Sequence, residues 1–388
     1  MHSRAQSTPP DNAIKVAIPD YTLLDRTALS AGEIPSAESL ARGISVVRPS
    51  TPQELRKASL AGRVQNEYGF LVKPDDLSLR PASPEKAKTN KKQEAEFLEL
   101  LGSTAPWPAY KEAHHLKIKR LCRVGIPESL RAQVWSKLAQ VDTYREEGLY
   151  QDLLSRPPRP IFDVIERDIN RCYPDHVMFN DESGAGQKHL REILQAYAHY
   201  NPDVEYCQGM GFLVGMMLMH IPQPEDAFWL LVATIQTHAK YLFAPTLSQV
   251  KIDSAVFAIL LRQKNRRVSR KMEACDVQPI LYITQWFITF FTAPLPWESV
   301  LRVWDMFYYD GIKSFFRVAL GIIKACKNEI LACPGTTELM EFILHIPEKY
   351  LETEHLMRAT LGISLTHRDV DRLREKIEKE EQYINTPT

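Results

Sequence analysis

From about residue 93 onward, apolar residues recur along the chain at helical spacing. The segment "ESLRAQVWSKLAQV" places Leu130, Val134 and Leu138 on one side of a helix. Similar segments follow, each bounded by Pro, Gly or Asp, and none shows the strict alternation of a half-buried strand. The pattern predicts an all-α protein whose main domain, over residues 117–350, is one irregular body of many helices.

The first 92 residues differ in composition from the rest of the chain. Up to about residue 66 they are rich in Pro, Ser, Ala and charged residues. This part is predicted to be disordered, because it buries too little apolar surface to offset the entropy of ordering. The island "EYGFLVKP", near residues 67–74, is predicted either to dock on the domain as an extended strap or to be an apolar spot in a tail. A polar linker then leads into a helical segment over residues 93–116.

The end of the chain, residues 351–388, is predicted to be a charged helical tail. Thr366 and Asp369 have the spacing of a capping box, and Val370 and Ile377 lie in a narrow apolar stripe. These features favour a surface or terminal helix, with a coiled-coil partner segment as the alternative.

Charge and cysteine content narrow the class of protein. The 48 basic and 48 acidic residues balance, so no net field indicates binding to nucleic acid or to an acidic substrate. The six cysteines show no CxxC pairing, and the chain opens without a signal-like segment. The longest apolar runs fall short of the roughly 20 residues that cross a bilayer. We therefore expect a reduced, cytoplasmic protein.

Two short stretches carry residue types suited to acting on another molecule. In "IERDINR", Asp168 and Arg171 are three residues apart, and the break "YPDH" after them would leave the arginine at a rim. In "YNPDVEYCQGMG", Gln208 stands between a turn and a strongly apolar helix, and Gly209 and Gly211 allow close approach of the backbone. The alternatives are an ordinary surface ion pair and a hydrogen-bonded core amide beside closely packed glycines.

Four motifs follow one another in a fixed order. These are "GIPESLRAQVW" (Gly125–Trp135), "IERDINR" with the pattern IxxDxxR, "YCQG" with the pattern YxQ, and "VLRVWDMF" (Val300–Phe307). Their sequence and separation resemble those of the TBC (Tre-2/Bub2/Cdc16) domain proteins, which activate the GTPase of Rab proteins. The likeness covers most of residues 117–350. It implies an irregular multi-helix TBC-type RabGAP domain, here preceded by a disordered N-terminal region.

The resemblance also implies roles for individual residues. In that family, the arginine of IxxDxxR and the glutamine of YxQ are two fingers inserted beside GTP on the Rab protein. At the matching positions, Arg171 would stabilise charge on the transferring γ-phosphoryl group, and Gln208 would orient the attacking water. Asp168 and Tyr206 would hold these two side chains in place. Four more residues match family positions that brace the site: Arg131, Trp135, Trp304 and Asp305.

Partner and cofactors follow from the same resemblance. The partner would be a Rab-type small GTPase in its GTP-bound form, reached from the cytoplasm with peripheral contact to membranes, in the regulation of vesicle trafficking. The chain has no GxxxxGK[ST] loop, so GTP and Mg²⁺ are expected to come with the GTPase, and the protein is expected to catalyse nothing alone. Adjacent His114 and His115 lack the i, i+4 spacing of a helical metal site, and no metal is predicted.

Three other functions fit parts of the sequence. A non-catalytic effector or scaffold would hold a GTPase on the same helical surface. A membrane-surface adaptor would use the basic run "RQKNRRVSRK", residues 262–271. The alternative is that this run is a solvated loop or helix end. A cysteine hydrolase would use Cys207 with His199 or His220 as its base, although no local signature of that class is present.

Overall fold

The computed structural model describes residues 60, 62–76, 84–243 and 247–385. The predicted disordered part lies outside the described residues up to residue 59, and so do residues 80–83 of the polar linker predicted over residues 80–92. Near the end of the predicted disordered part, Val64–Gln65 form a strand instead, because they pair with a second short strand. The described part contains eighteen α-helices and one short antiparallel hairpin, in which β1 (Val64–Gln65) pairs with β2 (Leu71–Val72). The prediction of an all-α, irregular multi-helix fold is confirmed.

The helices are numbered in chain order. The first nine are α1 Pro84–Leu101, α2 Trp107–Ala113, α3 His115–Val124, α4 Arg131–Ala139, α5 Leu149–Ser155, α6 Phe162–Ile169, α7 Ala185–Tyr200, α8 Met210–His220 and α9 Pro224–His238. The second nine are α10 Ser248–Lys264, α11 Arg266–Ala274, α12 Ile280–Ile288, α13 Trp297–Asp310, α14 Lys313–Ala325, α15 Lys327–Ala332, α16 Thr336–Leu344, α17 Thr353–Leu361 and α18 His367–Asn385.

Helices α8 and α9 lie at the centre of the body. Both are apolar on nearly every side, so neither keeps a solvent-facing stripe. Pro224 occupies the first position of α9, where its missing N–H is not needed. Helices α4 and α7 flank this pair, and each fully buried large side chain contributes about 1.5–3 kcal/mol to folding. The central pair thus fixes where α8 begins, just after Gln208.

The folded body starts earlier than the predicted boundary at residue 93. Helix α1 begins at Pro84, and the predicted boundary between residues 116 and 117 falls inside α3. The segment "EKAKTNKK" has good helix formers but no apolar periodicity, so the pattern alone predicts a linker there. Among the residues of α1 whose side chains are described, 91–101, the buried apolar ones are Phe97 and Leu100.

The boundary at residue 350 does not separate a tail from the domain either. Helix α17 packs on α14 so closely that a Cβ at Gly321 would lie 2.2 Å from the hydroxyl oxygen of Thr360. Helix α18 lies against α10, where the Arg374 guanidinium donates to both carboxylate oxygens of Asp253 at 2.7 and 2.9 Å. Asp253 is fully buried, and burial raises its pKa against the opposing charge of Arg374.

The start of α18 follows the prediction. The N–H of Thr366 donates to the Asp369 carboxylate at 2.8 Å, and the N–H of Asp369 donates back to the Thr366 hydroxyl at 3.2 Å. The predicted capping box is confirmed. Val370 and Ile377 of the apolar stripe are buried against the body, so this face of α18 is used within the chain.

Candidate functional site

Arg171 lies in the turn that follows α6. The helix ends at Ile169, and the N–H of Arg171 donates to the Asp168 carbonyl at 3.0 Å. Ile165 and Ile169 are buried and anchor the helix, whereas the Arg171 side chain is exposed. The arginine therefore lies in a turn at the rim of the body. The spacing of Asp168 and Arg171 predicts that both lie on one helix, whereas the helix ends between them.

Gln208 is exposed on a loop that leads into α8. Gly209, the next residue, has a φ of 106°, and a Cβ there would lie 2.6 Å from the Cγ2 of Ile288. Only glycine fits both the backbone conformation and the space. Upstream, Glu205 pairs with Arg159, which also donates to a carbonyl of α7 at 2.6 Å. The loop carrying Gln208 is thus held on both sides.

The turn of Arg171 and the loop of Gln208 are joined by a hydrogen bond. The hydroxyl of Tyr206 donates to the Asp168 carboxylate at 2.7 Å. Burial raises the pKa of the Tyr206 hydroxyl far above its ordinary value, and the Asp168 charge adds to the effect, so the hydroxyl keeps its proton and stays a donor. Tyr206, two residues before Gln208, and Asp168, three residues before Arg171, therefore contact each other directly.

Close packing against α8 holds the same turn from behind. A Cβ at Gly211 would lie 2.5 Å from the sulfur of Cys172, and one at Gly215 would lie 2.7 Å from the ring of Tyr173. Tyr173 has a φ of 50°, and its hydroxyl donates to the Phe212 carbonyl at 2.9 Å. The GxxxG spacing in α8 thus accommodates the turn that follows α6.

A buried carboxylate organises the bracing residues. One oxygen of Asp305 accepts hydrogen bonds from Trp135 Nε1 at 2.9 Å and from Arg131 Nε at 3.3 Å. The other oxygen accepts the N–H of Ile126 at 2.7 Å. Burial raises the pKa of Asp305, and the charge of Arg131 opposes this shift. The cluster ties α4 and the segment before it to α13.

Trp304 connects this cluster to the loop of Gln208. Its ring lies 5.4 Å from that of Trp135, and its Nε1–H donates to the Phe290 carbonyl at 3.1 Å. Phe290 follows α12, whose last residue, Ile288, faces Gly209. Arg131, Trp135, Trp304 and Asp305 are all buried, so they sit behind the exposed side chains of the site.

The cysteine alternative has little support in this geometry. Burial raises the pKa of the Cys207 thiol to about 12, and the charge of Asp168 adds to the shift, so the nucleophilic thiolate is disfavoured. The Nδ1 of His220, one of the two bases considered, lies 2.7 Å from the Glu128 carboxylate. Within the described ranges, no three His, Cys, Asp or Glu side chains are grouped so as to hold a metal ion.

The basic run over residues 262–271 consists of the end of α10 and the start of α11, joined at Asn265. The Asn265 side chain accepts the N–H of Val268 at 3.4 Å, as a helix cap does. Most of its cationic side chains are exposed. Among the described helices, none is long and apolar enough to cross a membrane.

Comparison with known proteins identifies the fold family. The family model described as the Rab-GTPase-TBC domain matches residues 128–331, more than half of the chain. The chain belongs to this family. The matched region contains all eight site residues that the motifs predict: Arg131, Trp135, Asp168, Arg171, Tyr206, Gln208, Trp304 and Asp305.

Two animal proteins show how far the similarity of this TBC protein extends. Human TBC1 domain family member 10B is 33% identical over 356 residues, which cover 90% of this chain and 42% of that protein. Mouse Carabin is 34% identical over 312 residues, 79% of this chain and 69% of Carabin. The chain therefore spans less than half of the first relative and about two thirds of the second.

Solved TBC structures share the fold. The Chlamydomonas flagellar RabGAP TBC domain superposes with a TM-score of 0.63 at 25% identity, covering 76% of this chain and 98% of that one. The Ypt/Rab-GAP domain of Gyp1p superposes with a TM-score of 0.58 at 17% identity, covering 74% of this chain and 99% of that one. The TBC fold thus accounts for most of the described residues.

Sequence reasoning missed part of the surroundings of the site. It used Tyr173 only as part of the break "YPDH" and did not single out Cys172, although these residues form the contact between the Arg171 turn and α8. It left open whether the segment near residues 67–74 docks as a strap or is an apolar spot in a tail, and it did not indicate where the segment would dock. In the structure, Phe70 forms a bridge with His176, five residues after Arg171. The only signal was the aromatic–glycine–aromatic cluster itself.

Proposed function

We propose that this protein accelerates GTP hydrolysis on a Rab-type small GTPase in its GTP-bound form, with Arg171 and Gln208 supplied in trans. The observation that carries this proposal is the direct link between the two turns, made by Tyr206 and Asp168 at 2.7 Å. Both Arg171 and Gln208 are exposed, so a partner can reach them. Membership of the Rab-GTPase-TBC domain family supports the class of partner.

The chemistry of phosphoryl transfer favours these two residue types. The reaction needs positioning and charge stabilisation more than covalent help, and an arginine supplied in trans accelerates it on the order of 10³- to 10⁵-fold. A guanidinium matches the oxygens of a phosphoryl group with several donors, whereas lysine offers a point charge. The Gln208 amide has both a donor and an acceptor, which are the groups needed to hold a water molecule in line for attack.

The remaining site residues are proposed to act through these two. Asp168 and Tyr206 connect the two turns and restrict how they move relative to each other. The buried set of Arg131, Trp135, Trp304 and Asp305 fixes the position of α13 and of the end of α12, on which Gly209 rests. A rigid backing of this kind keeps both side chains in the geometry that the reaction requires.

The nucleotide is proposed to remain on the partner throughout. GTP and its Mg²⁺ would be bound by the GTPase, because this chain lacks a phosphate-cradling loop. On this proposal the protein is an activator, not an enzyme by itself. It would meet its substrate on trafficking membranes, recruited from the cytoplasm by peripheral contact.

Single-turnover GTP hydrolysis by a panel of Rab-type GTPases tests the proposal. Acceleration of one or a few members is expected, with a loss of about a hundredfold, roughly 3 kcal/mol, in Arg171→Lys and in Gln208→Ala. Arg358→Lys is the matched control, because Arg358 is an exposed arginine of α17 outside the site. An equal loss in the control, or no acceleration of any GTPase, would refute the proposal.

A second measurement separates an activator from a non-catalytic effector. An activator binds best to the GTPase carrying GDP and a planar phosphoryl analogue, because it is complementary to the transition state. An effector binds best to the stable GTP-bound form. Preference for the GTP form without acceleration would establish the effector function instead.

A further inference from the structure

A short N-terminal segment lies directly on the turn that carries Arg171. Residues 63–72 comprise β1, a tight turn and β2, and we call them the strap. The N–H of Leu71 donates to the Asp175 carbonyl at 2.7 Å, and the N–H of Val177 donates to the Gly69 carbonyl at 2.9 Å. These two hydrogen bonds pair the strap with the segment after Arg171 in a short antiparallel bridge.

An aromatic side chain of the strap fills the space behind this segment. The Phe70 ring lies 4.9 Å from the His176 ring, 4.8 Å from Trp297 and 6.3 Å from Tyr173, all in edge-to-face geometry. Trp297 is the first residue of α13, the helix that also carries Trp304 and Asp305. Each such aromatic pair contributes about 0.5–1.5 kcal/mol beyond its burial. The strap therefore joins the Arg171 turn to the braced helix.

His176 contacts the strap through one ring nitrogen and its own segment through the other. Nε2 lies 2.9 Å from the Tyr68 carbonyl, and Nδ1 lies 3.1 Å from the N–H of Met178. The carbonyl requires a donor and the N–H requires an acceptor, so the ring is neutral and carries its proton on Nε2. Arg63 adds an ion pair with Asp175 at 3.3 Å.

The segment 172–177 is thus enclosed between two surfaces. On one side, Cys172 and Tyr173 pack against the glycines of α8. On the other side, Phe70 and the backbone of the strap cover Tyr173 and His176. Tyr173 has a φ of 50°, an unfavourable value for a bulky residue, so it needs support from its surroundings. Without the strap, Tyr173 loses the contact with Phe70 and keeps those with α8 and with Trp297.

We propose that the strap is a positioning element for Arg171, which holds the turn in the conformation that presents the arginine to the GTPase. This inference rests on the proposed function. The strap contacts the residues after Arg171, and neither GTP nor the GTPase needs to touch it. Its loss is expected to lower the rate of hydrolysis at saturating protein, whereas the concentration for half-maximal acceleration should change little.

Gly69 in the strap and Gly62 just before it supply a matched pair of variants. A Cβ at Gly69 would lie 2.4 Å from the Nε2 of His176, whereas a Cβ at Gly62 would meet nothing within 4 Å. Both glycines have a positive φ, 87° and 77°. Gly69→Ala and Gly62→Ala therefore introduce similar backbone strain, and only Gly69→Ala forces the strap away from the turn.

The first readout is hydrogen exchange at residues 171–177 in the full-length chain, which needs no GTPase. Faster exchange in Gly69→Ala, with Gly62→Ala like the wild type, is expected. Equal exchange in all three proteins would overturn the proposal. If the wild type accelerated no GTPase, the proposed function would fail, and exchange would still decide whether the strap holds the turn.

The second readout is hydrolysis in two backgrounds. Gly69→Ala should slow the maximal rate about tenfold, because a displacement of the order of 1 Å reduces catalysis strongly. In an Arg171→Lys background the same change should have less than a twofold effect, since the group being positioned is gone. A full tenfold loss in both backgrounds would mean that the strap acts by another route and would overturn the inference.

Discussion

Replacing Gly211 with alanine tests how tightly the Arg171 turn packs on α8. The added methyl group would lie 2.5 Å from the sulfur of Cys172, well inside ordinary van der Waals contact. Overpacking of this kind costs about 1–3 kcal/mol. Alanine also favours the helix by about 0.5–1 kcal/mol over glycine, with the smaller figure suited to a first turn. The expected net loss in the free energy of unfolding is about 0.5–2.5 kcal/mol.

Removing the sulfur should reverse the sign of this effect. In Cys172→Ala, the nearest atoms to the new methyl group would be Leu194 Cδ1 at 3.9 Å and the Cβ of residue 172 at 4.0 Å, both ordinary contacts. Gly211→Ala should then stabilise the protein by about 0.5 kcal/mol, from helix propensity alone. The coupling energy between the two substitutions is therefore expected to be about 2 kcal/mol.

Urea denaturation of the wild type, the two single variants and the double variant measures this coupling. Single-turnover hydrolysis on the same four proteins should follow the same pattern, because Gly211→Ala alone displaces Cys172 and with it the neighbouring Arg171. If Gly211→Ala destabilised the protein equally with and without the sulfur, the methyl group and the sulfur would not meet, and the packing argument would be refuted.

Three further outcomes follow from single contacts. Arg374→Met should lower the free energy of unfolding by about 3–5 kcal/mol, because it leaves the buried Asp253 carboxylate without its charged partner. Urea denaturation should show that Asp253→Asn in the same background recovers part of this loss. Tyr206→Phe should slow hydrolysis at saturating protein and leave urea stability within about 1.5 kcal/mol, since it removes one hydrogen bond to Asp168. Burial lowers the pKa of His176 below its ordinary 6.5, so protonation below pH 6.5 favours the form in which the ring is released. Hydrogen-exchange protection of the strap should therefore decrease as the pH falls below 6.5, and this decrease should be absent in His176→Gln.

The helical body could be predicted from the sequence because its helices are long and their apolar spacing is regular. The segment containing Leu130, Val134 and Leu138 is the clearest case, and all three residues are buried in the structure. The motifs also located the exposed Arg171 and Gln208, since a short motif in a fixed order carries more information than propensity does. The motifs predicted which residues form the site, but not how those residues are arranged in space.

The strap could be suspected from the sequence but not placed. Its strands have two residues each, too short for any alternation to be visible. Its partner segment lies about a hundred residues further along the chain, and no local rule connects Gly69 with His176. Pairing of this kind depends on the finished surface, which exists only after α8 and α13 have packed.

The end of α6 shows a different limit of pattern reading. The spacing of Asp168 and Arg171 suits a continuous helix, yet the helix ends at Ile169. Pro174 disfavours the helical conformation at Tyr173, and Tyr173 takes a φ of 50° with its ring against Gly215. The packing surface offered by α8 decides this conformation, so the turn cannot be derived from residues 165–174 alone.

Backbone strain in the described part is concentrated around the site. Seven residues other than glycine have a positive φ. Tyr173 and Glu205 lie in the turn of Arg171 and the loop of Gln208, and Phe290 and Phe291 follow α12, whose last residue faces Gly209. Each such conformation costs about 1–3 kcal/mol and persists only where the surroundings enforce it. The buried rings and the glycine contacts supply that enforcement here. A change that loosens this packing should therefore relax the two turns before it unfolds the helical body, and activity should be lost earlier than global stability.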